Sequence, residues 1–176
     1  MNFEQNAGLL REECMTWLAR GAGSVRIWCA SAAGEEPYTL GVTLAESLDE
    51  QGVDWRLLAS DVSVTALRRA AAGVYEPSQL EQLSQALRQR YFEPEYCDDA
   101  GLRTCRVVPA LRSRIAFERI ELSRPPFAVR GELDAIFCRN VLSDFDGGVR
   151  QRLVSELERN LLAGSKRGGL ATAVTK

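Results

Sequence analysis

The sequence contains no histidine among its 176 residues. Without imidazole there is no Ser-His-Asp or Cys-His nucleophile pair, no histidine general base and no His-ligated metal. Any catalysis must therefore use carboxylates, Arg, Tyr, Cys, backbone groups or a cofactor. An excess of basic charge is missing as well, because 22 basic residues stand against 24 acidic ones, for a net charge of -2. This balance does not suggest a nucleic acid partner.

Paired cysteines and long apolar runs are also absent. The five cysteines form no C-x-x-C pair, which argues against a zinc site or a thioredoxin-like motif: Cys14, Cys29, Cys97, Cys105 and Cys138. Their odd number and the lack of an N-terminal apolar signal fit reduced thiols in the cytosol. No apolar stretch approaches the roughly 20 residues that span a bilayer. The sequence therefore predicts a cytoplasmic protein with no metal and no membrane insertion.

The first part of the chain alternates between short apolar runs and amphipathic segments. We predict a helix over 8–20, a strand over 25–29, a helix from 35 to 52, a strand over 55–60 and a helix between Ser63, as N-cap, and Gly73. Strands that alternate with helices predict an α/β fold with a parallel sheet and right-handed crossovers.

The middle of the chain breaks this alternation. Ser78 is predicted to cap a polar helix, and two strand-like runs, 102–108 and 115–117, are predicted to form a small hairpin subdomain. The alternation then resumes with a strand over 133–138, a helix over 148–162 and a last strand within 168–174. At this length we expect one domain over 1–176, with the subdomain over 75–120.

Polar or tightly turning residues follow three of the predicted strands, at Ala30 to Glu36, at Asp61 and at Asn140. Ligands of open α/β sheets bind beyond the carboxyl ends of the strands, and Asp61 has the spacing of a carboxylate that accepts both hydroxyls of a ribose. The single Gly34 disfavours a dinucleotide, whose pyrophosphate usually meets G-x-G-x-x-G. These residues thus indicate a nucleoside-containing cofactor, and the alternative is an ordinary β-α turn with a capping Asp.

Several distinctive strings occur in order from about Val25 to Leu162. They are Arg26-Ile27-Trp28-Cys29, Gly34-Glu35-Glu36-Pro37-Tyr38-Thr39-Leu40, Leu58-Ala59-Ser60-Asp61, Gly73-Val74-Tyr75, Arg90-Tyr91-Phe92, Leu133-Asp134-Ala135-Ile136-Phe137-Cys138-Arg139-Asn140-Val141 and Phe145-Asp146. Together they resemble the CheR family of chemotaxis-receptor glutamate methyltransferases. The resemblance implies a class I S-adenosylmethionine-dependent, Rossmann-like fold with a small antiparallel β-subdomain.

The resemblance also implies roles for individual residues. It implies cofactor-binding positions at Ala30, Gly34, Glu36, Asp61, Glu121, Leu122, Asn140 and Val141, with S-adenosylmethionine as the cofactor. The implied reaction transfers the sulfonium methyl to a glutamate side chain of a methyl-accepting receptor. An ionised carboxylate is already a nucleophile, so this reaction needs no histidine base. The alternative is that Glu36 only decorates a helix N-terminus and Asn140 only caps a turn.

The sequence departs from the family pattern at positions that bear on activity. The turn over 30–34 is one residue shorter than in the family pattern. Glu121-Leu122 replaces the family's Asn-Leu pair, and the added carboxylate requires a partner such as Arg119 or Arg124. Asp144 stands where the family has a tyrosine near the transferring methyl, and Arg139 is the candidate to neutralise it. The stretch before Val25 is too short for the family's N-terminal helical domain, and the tail diverges. The alternative to an active protein-glutamate O-methyltransferase is thus a truncated or degenerate non-catalytic relative that acts as a cofactor- or receptor-binding module.

Five arginines fall within the predicted subdomain: Arg103, Arg106, Arg112, Arg114 and Arg119. Relatives can capture a receptor's C-terminal peptide as an added strand on this subdomain, and the arginines could also attract an acidic receptor helix. The alternative is that they protect a sheet edge with charge. Phosphate binding is a third reading, without the stacking aromatics that would favour it.

Overall fold

The structure is a computed structural model that describes residues 3–30, 35–94, 96–97, 101–127, 129, 132–138, 145–164 and 172–174. The helices are α1 (Phe3–Ala19), α2 (Glu36–Leu48), α3 (Val64–Ala72), α4 (Gln85–Tyr91), α5 (Pro109–Arg112) and α6 (Gly147–Gly164). The strands are β1 (Ser24–Cys29), β2 (Asp54–Asp61), β3 (Val74–Tyr75), β4 (Tyr96–Cys97), β5 (Arg103–Arg106), β6 (Ile115–Arg119), β7 (Ala135–Phe137) and β8 (Thr172–Val174).

A five-stranded parallel sheet in the order β6-β2-β1-β7-β8 organises the fold, and a separate three-stranded antiparallel sheet has the order β3-β5-β4. The α/β class and the small antiparallel sheet were both predicted from the sequence, and both are confirmed. Within the described part of the chain, no helix is long and apolar enough to cross a membrane.

The parallel sheet separates two apolar clusters, because successive side chains of a strand point to opposite faces. Ile27 and Cys29 of β1 pack in one cluster with the buried faces of α1 and α2. Trp28, between them in the sequence, packs in the other cluster with the Leu153 and Leu157 side chains of α6. The sheet is thus covered on both faces around β1, as parallel sheets generally are.

The ends of α3 follow the predicted signals. The Ser63 hydroxyl accepts a hydrogen bond from the Ala66 backbone N–H at 3.2 Å, which satisfies one of the donors that the first helical turn leaves open. Gly73 ends the helix with a φ of 62°, and a Cβ there would lie 3.0 Å from the Tyr38 hydroxyl. Both the left-handed backbone and the close contact therefore favour glycine at this position.

The predicted hairpin between 102–108 and 115–117 is wrong. β5 pairs with β3 and β4, whereas β6 pairs in parallel with β2 in the main sheet. The physical reason is the short helix α5 between them: its Leu111 and the following Ile115 pack against Gly41 of α2, where a Cβ would lie 3.4 Å and 3.0 Å from their side chains, so the chain crosses to the main sheet instead of reversing.

The predicted cap at Ser78 is also wrong. Ser78 lies inside a 3-10 helix, Pro77–Leu80, which begins with a capping box between Glu76 and Gln79. The following helix, α4, is a separate element capped by Ser84. The segment that contains β3, β4 and β5 has its two ends side by side, because the Val107 backbone N–H donates to the Gly73 carbonyl at 2.9 Å. One domain with a subdomain over 75–120 stays a prediction.

Candidate active site

The carboxyl ends of the parallel strands lie along one edge of the main sheet. From β1 the chain crosses through α2 to β2, whereas β7 lies on the other side of β1. The strand order reverses between β1 and β7, and such a switch point is where open α/β sheets bind ligands. The Ala30 backbone N–H donates to the Phe137 carbonyl at 2.8 Å, which holds these two strand ends together. We take this edge as the candidate site.

Asp61 stands at the carboxyl end of β2, as predicted, and is partly exposed. Its Oδ1 accepts a hydrogen bond from the Ser63 backbone N–H at 2.8 Å, which turns the chain into α3. A carboxylate can accept several hydrogen bonds, so this one leaves acceptor capacity for a ligand. The next residue, Val62, is 56% exposed, and its carbonyl accepts from Arg119 Nε at 3.1 Å. The edge therefore offers a carboxylate beside an apolar side chain.

Glu36 is buried at the N-terminus of α2, with 6% of its surface exposed. Burial, and secondarily the charge of Glu36, raises the pKa of the Cys138 thiol to about 11. Glu36 begins the helix that follows β1, and Cys138 follows β7 directly, so the two residues come from the two strands that flank the switch point. A negative charge at a helix N-terminus is also favourable in itself.

Ala30 and Leu122 are buried in the cluster that contains Trp28, so their side chains belong to the core under the edge. Glu121 lies after β6 and forms an ion pair with Arg124, with 3.2 Å between Oε1 and Nε. Of the two expected partners for this carboxylate, the structure therefore selects Arg124. Since the Glu121 side chain is 37% exposed, we expect this pair to contribute little to stability.

The family comparison decides the class of the protein. A model described as "CheR methyltransferase, SAM binding domain" matches residues 3–166. The chain belongs to the CheR family. The resemblance read from the strings of residues is thereby confirmed.

Similar CheR proteins are chemotaxis protein methyltransferases. The chain is 40% identical over 134 residues to chemotaxis protein methyltransferase 2 of Pseudomonas aeruginosa, and the matched stretch covers 76% of this chain and 47% of that protein. It is 39% identical over 128 residues to the chemotaxis protein methyltransferase of Salmonella typhimurium, covering 72% of this chain and 44% of that protein. The chain therefore spans about half the length of these CheR relatives.

Solved methyltransferase structures resemble this CheR chain less closely. The glycopeptide N-methyltransferase MtfA in complex with S-adenosyl-L-methionine is 15% identical, with a TM-score of 0.45, over 88% of this chain and 46% of that chain. The assignment of the fold rests on the strand order of the main sheet and on the CheR family model.

The structure brings some of the predicted site residues of this CheR chain to one edge. Ala30 and Asp61 lie at the ends of β1 and β2, Glu36 begins α2, and Glu121 and Leu122 follow the neighbouring strand β6. Gly34, Asn140, Val141, Arg139 and Asp144 lie outside the described residues. Among the residues that the structure describes, no group of His, Cys, Asp and Glu could hold a metal ion.

Two side chains at this edge were not singled out from the sequence. Cys138 was predicted as the last residue of the strand over 133–138 and as one of five unpaired cysteines, but not as a site residue, although the end of a buried strand already put it at the carboxyl edge. Gln79 contacts Glu35 across 44 positions of the chain, and no local pattern indicates such a contact.

Proposed function

We propose that this CheR chain binds S-adenosylmethionine at the carboxyl edge of the parallel sheet and transfers a methyl group to glutamate side chains of chemotaxis receptors. The observation that carries the proposal is the match of the CheR cofactor-binding model to residues 3–166. The strand order supports it, because the switch point between β1 and β7 is where a cofactor of this size would bind.

The residues at the edge fit the adenosyl part of the cofactor. Asp61 is proposed to accept hydrogen bonds from the ribose hydroxyls, since its carboxylate is partly exposed and still has acceptor capacity. Glu36 is proposed to line the pocket from the N-terminus of α2. Gly34, Asn140 and Val141, which follow β1 and β7 in the sequence, are proposed to complete the pocket, together with Ala30, Glu121 and Leu122.

The chemistry suits a chain without histidine. When bound, S-adenosylmethionine supplies a methyl group on a positively charged sulfur. The receptor glutamate is already a nucleophile when ionised, so the chain has only to align it and to exclude water. Arg139 and Asp144 are proposed to stand closest to that glutamate. A carboxylate about 4 Å from the incoming one would repel it by roughly 4 kcal/mol at an effective dielectric near 20, unless Arg139 neutralises the charge.

Asp144 also favours a second candidate function. A family member with a carboxylate in place of tyrosine at this position, and with a further carboxylate at Glu121, has changed one place that should face the reacting methyl and one that should face the adenosine of the cofactor. The second candidate is a CheR-related module that binds cofactor or receptor without methylating it.

Two measurements test the first function against the second. Calorimetry with S-adenosylhomocysteine should detect binding, and no heat or thermal shift at millimolar ligand would exclude the first function. A methylation assay with labelled S-adenosylmethionine and receptor should then compare the wild type with Asp144→Tyr. A faster Asp144→Tyr variant is expected if Asp144 slows an active enzyme. Cofactor binding with no methylation by either protein would support the non-catalytic module.

The antiparallel sheet supports a proposed docking site for the receptor's C-terminal peptide. Within the described residues, β4 pairs on one side with β5, so its other edge can accept an added strand. The arginines separate into two groups. Arg112 donates to the Ala71 carbonyl of α3 at 3.1 Å, and Arg114 Nη1 lies 2.9 Å from Asp49 Oδ1, so both side chains are bound to residues outside the antiparallel sheet. Arg106, in contrast, lies on the sheet itself and stacks over Tyr96 at 5.6 Å.

Arg106 is therefore the better position for a charge reversal. Arg106→Glu should weaken binding of a synthetic receptor C-terminal peptide about tenfold, because it replaces attraction by repulsion next to the open edge. The matched control is Arg152→Glu on α6, which is also exposed and makes the same change in net charge. Equal peptide affinity of both variants and the wild type would exclude this docking site.

A further inference from the structure

The side chain of Gln79 bridges the antiparallel-sheet segment and the start of α2. It belongs to the 3-10 helix Pro77–Leu80 that follows β3, and its Oε1 accepts from the Glu76 backbone N–H at 2.9 Å. The other half of the amide, Nε2, donates to Glu35 Oε1 at 2.9 Å. One amide thus closes its own turn and holds a carboxylate 44 positions away.

Glu35 is fixed on both its backbone and its side chain. The Glu35 carbonyl accepts from the Thr39 backbone N–H at 3.0 Å and from the Thr39 hydroxyl at 3.1 Å, which ties the backbone into α2. The carboxylate stands at a cavity of about 50 Å³ between α2 and the 3-10 helix. Burial, then the neighbouring Tyr38 and Glu35, raises the pKa of Tyr75 in this cavity. Glu35, Gln79 and the buried Tyr75 thus line the same cavity.

We propose that Gln79 is a positioning residue for the cofactor edge, acting through Glu35. Glu35 is the N-cap residue of α2 and directly precedes the buried Glu36, so fixing its side chain fixes the backbone that carries Glu36. The inference rests on the proposed cofactor binding and goes beyond it. It means that the antiparallel-sheet segment, which lies outside the parallel sheet, helps to fix the position of the residues at the cofactor edge.

The two hydrogen bonds of Gln79 can be separated by one substitution. Gln79→Glu retains an oxygen that accepts from the Glu76 N–H, so the 3-10 turn keeps its capping interaction. It replaces the donor to Glu35 by a carboxylate oxygen, which turns an attraction into a repulsion. The matched control is Gln82→Glu, which makes the same change in charge at a glutamine that lines the same cavity.

Calorimetry with S-adenosylhomocysteine is the primary readout. The wild type must first bind, because failure at that step contradicts the proposed function itself. We then expect Gln79→Glu to bind about three- to tenfold more weakly, and Gln82→Glu to stay within about twofold of the wild type. Equal losses in both variants, or no loss in Gln79→Glu, would overturn the role of Gln79 and leave the proposed function standing.

A double-mutant cycle tests whether Gln79 acts through Glu35. In the background of Glu35→Ala, the further change Gln79→Glu should alter the affinity by less than about twofold. A loss as large as in the wild-type background would show that Gln79 acts in another way. Thermal denaturation of each variant, compared with Gln82→Glu, separates a local effect on binding from a general loss of folding.

The salt dependence of Gln79→Glu adds a signature that loss of packing would not produce. Added salt screens the repulsion between two partly exposed carboxylates, so the affinity of this variant should partly recover at high ionic strength, whereas that of Gln82→Glu should change no more than that of the wild type. A variant that stays equally weak at low and at high salt would contradict the bridge.

Discussion

Asp61→Asn separates the proposed ligand role of Asp61 from its structural role. The asparagine keeps a carbonyl oxygen at the position where Oδ1 now accepts from the Ser63 N–H at 2.8 Å. The turn into α3 should therefore survive, and the free energy of unfolding should change by less than about 1 kcal/mol. What disappears is the negative charge, and with it the charge-assisted character of the proposed hydrogen bonds to the two ribose hydroxyls.

The magnitude follows from the type of hydrogen bond. Bonds to charged groups contribute about 1.5–3 kcal/mol and neutral ones about 0.5–1.5 kcal/mol. Weakening two such bonds should cost about 2–3 kcal/mol, so S-adenosylhomocysteine should bind roughly 30- to 150-fold more weakly. Isothermal titration calorimetry measures the affinity, and urea denaturation of the same samples measures the stability.

Ser63→Ala is the matched control for this prediction. It removes the N-cap of α3, where the Ser63 hydroxyl accepts from the Ala66 N–H, and should lower the free energy of unfolding by about 0.5–2 kcal/mol. Its affinity for S-adenosylhomocysteine should change by no more than about threefold. The reasoning fails if Asp61→Asn binds as tightly as the wild type, or if Ser63→Ala weakens binding as much as Asp61→Asn does.

Three further predictions follow from the burial or exposure of individual side chains. Trp28→Phe removes the 2.9 Å hydrogen bond from the indole N–H to the buried Ser60 hydroxyl, so urea denaturation should show a loss of about 1–3 kcal/mol, and an unchanged midpoint would contradict the role of this bond. Burial raises the pKa of the Cys14 thiol to about 12 and that of Cys138 to about 11, against an ordinary value of 9.0. The thiols of the unfolded chain ionise first as the pH rises, so the free energy of unfolding should be retained below about pH 9 and fall above it, by about 1 kcal/mol per thiol at about pH 10. Cys14→Ala should make this decrease with pH less steep. At about pH 8 a thiol reagent should label the exposed Cys97 first, and a fast phase that persists in Cys97→Ser would be inconsistent with the burial of the other four cysteines.

Local signals predicted the elements that local interactions decide. Ser63 and Gly73 bound α3 as expected, because a cap and a left-handed residue act within one helical turn. Asp61 was found from the end of an apolar run. The alternation of strands and helices likewise predicted the parallel sheet, since each crossover helix forces its two strands to be parallel.

The features that could not be predicted from the sequence depend on contacts between segments far apart in the chain. The run that begins at Ile115 suits a strand in either sheet, and the packing of Leu111 and Ile115 against Gly41 of α2 places it beside β2 as β6. The Glu35–Gln79 hydrogen bond joins residues on two elements and leaves no periodicity to read. The partner of Glu121 was narrowed to two arginines by proximity in sequence, and geometry then selected Arg124.

The hydrogen bond between the Val107 N–H and the Gly73 carbonyl has an evolutionary consequence. The intervening segment leaves and rejoins the parallel scaffold at one point, so it can be lengthened, shortened or exchanged between relatives without changing the order of the main strands. Such an exchange is constrained on one side, because Tyr75, Phe92 and Cys105 contribute to the common core. The outer surface of this segment, which carries the proposed docking site for a receptor peptide, can thus vary while its inner surface stays nearly constant.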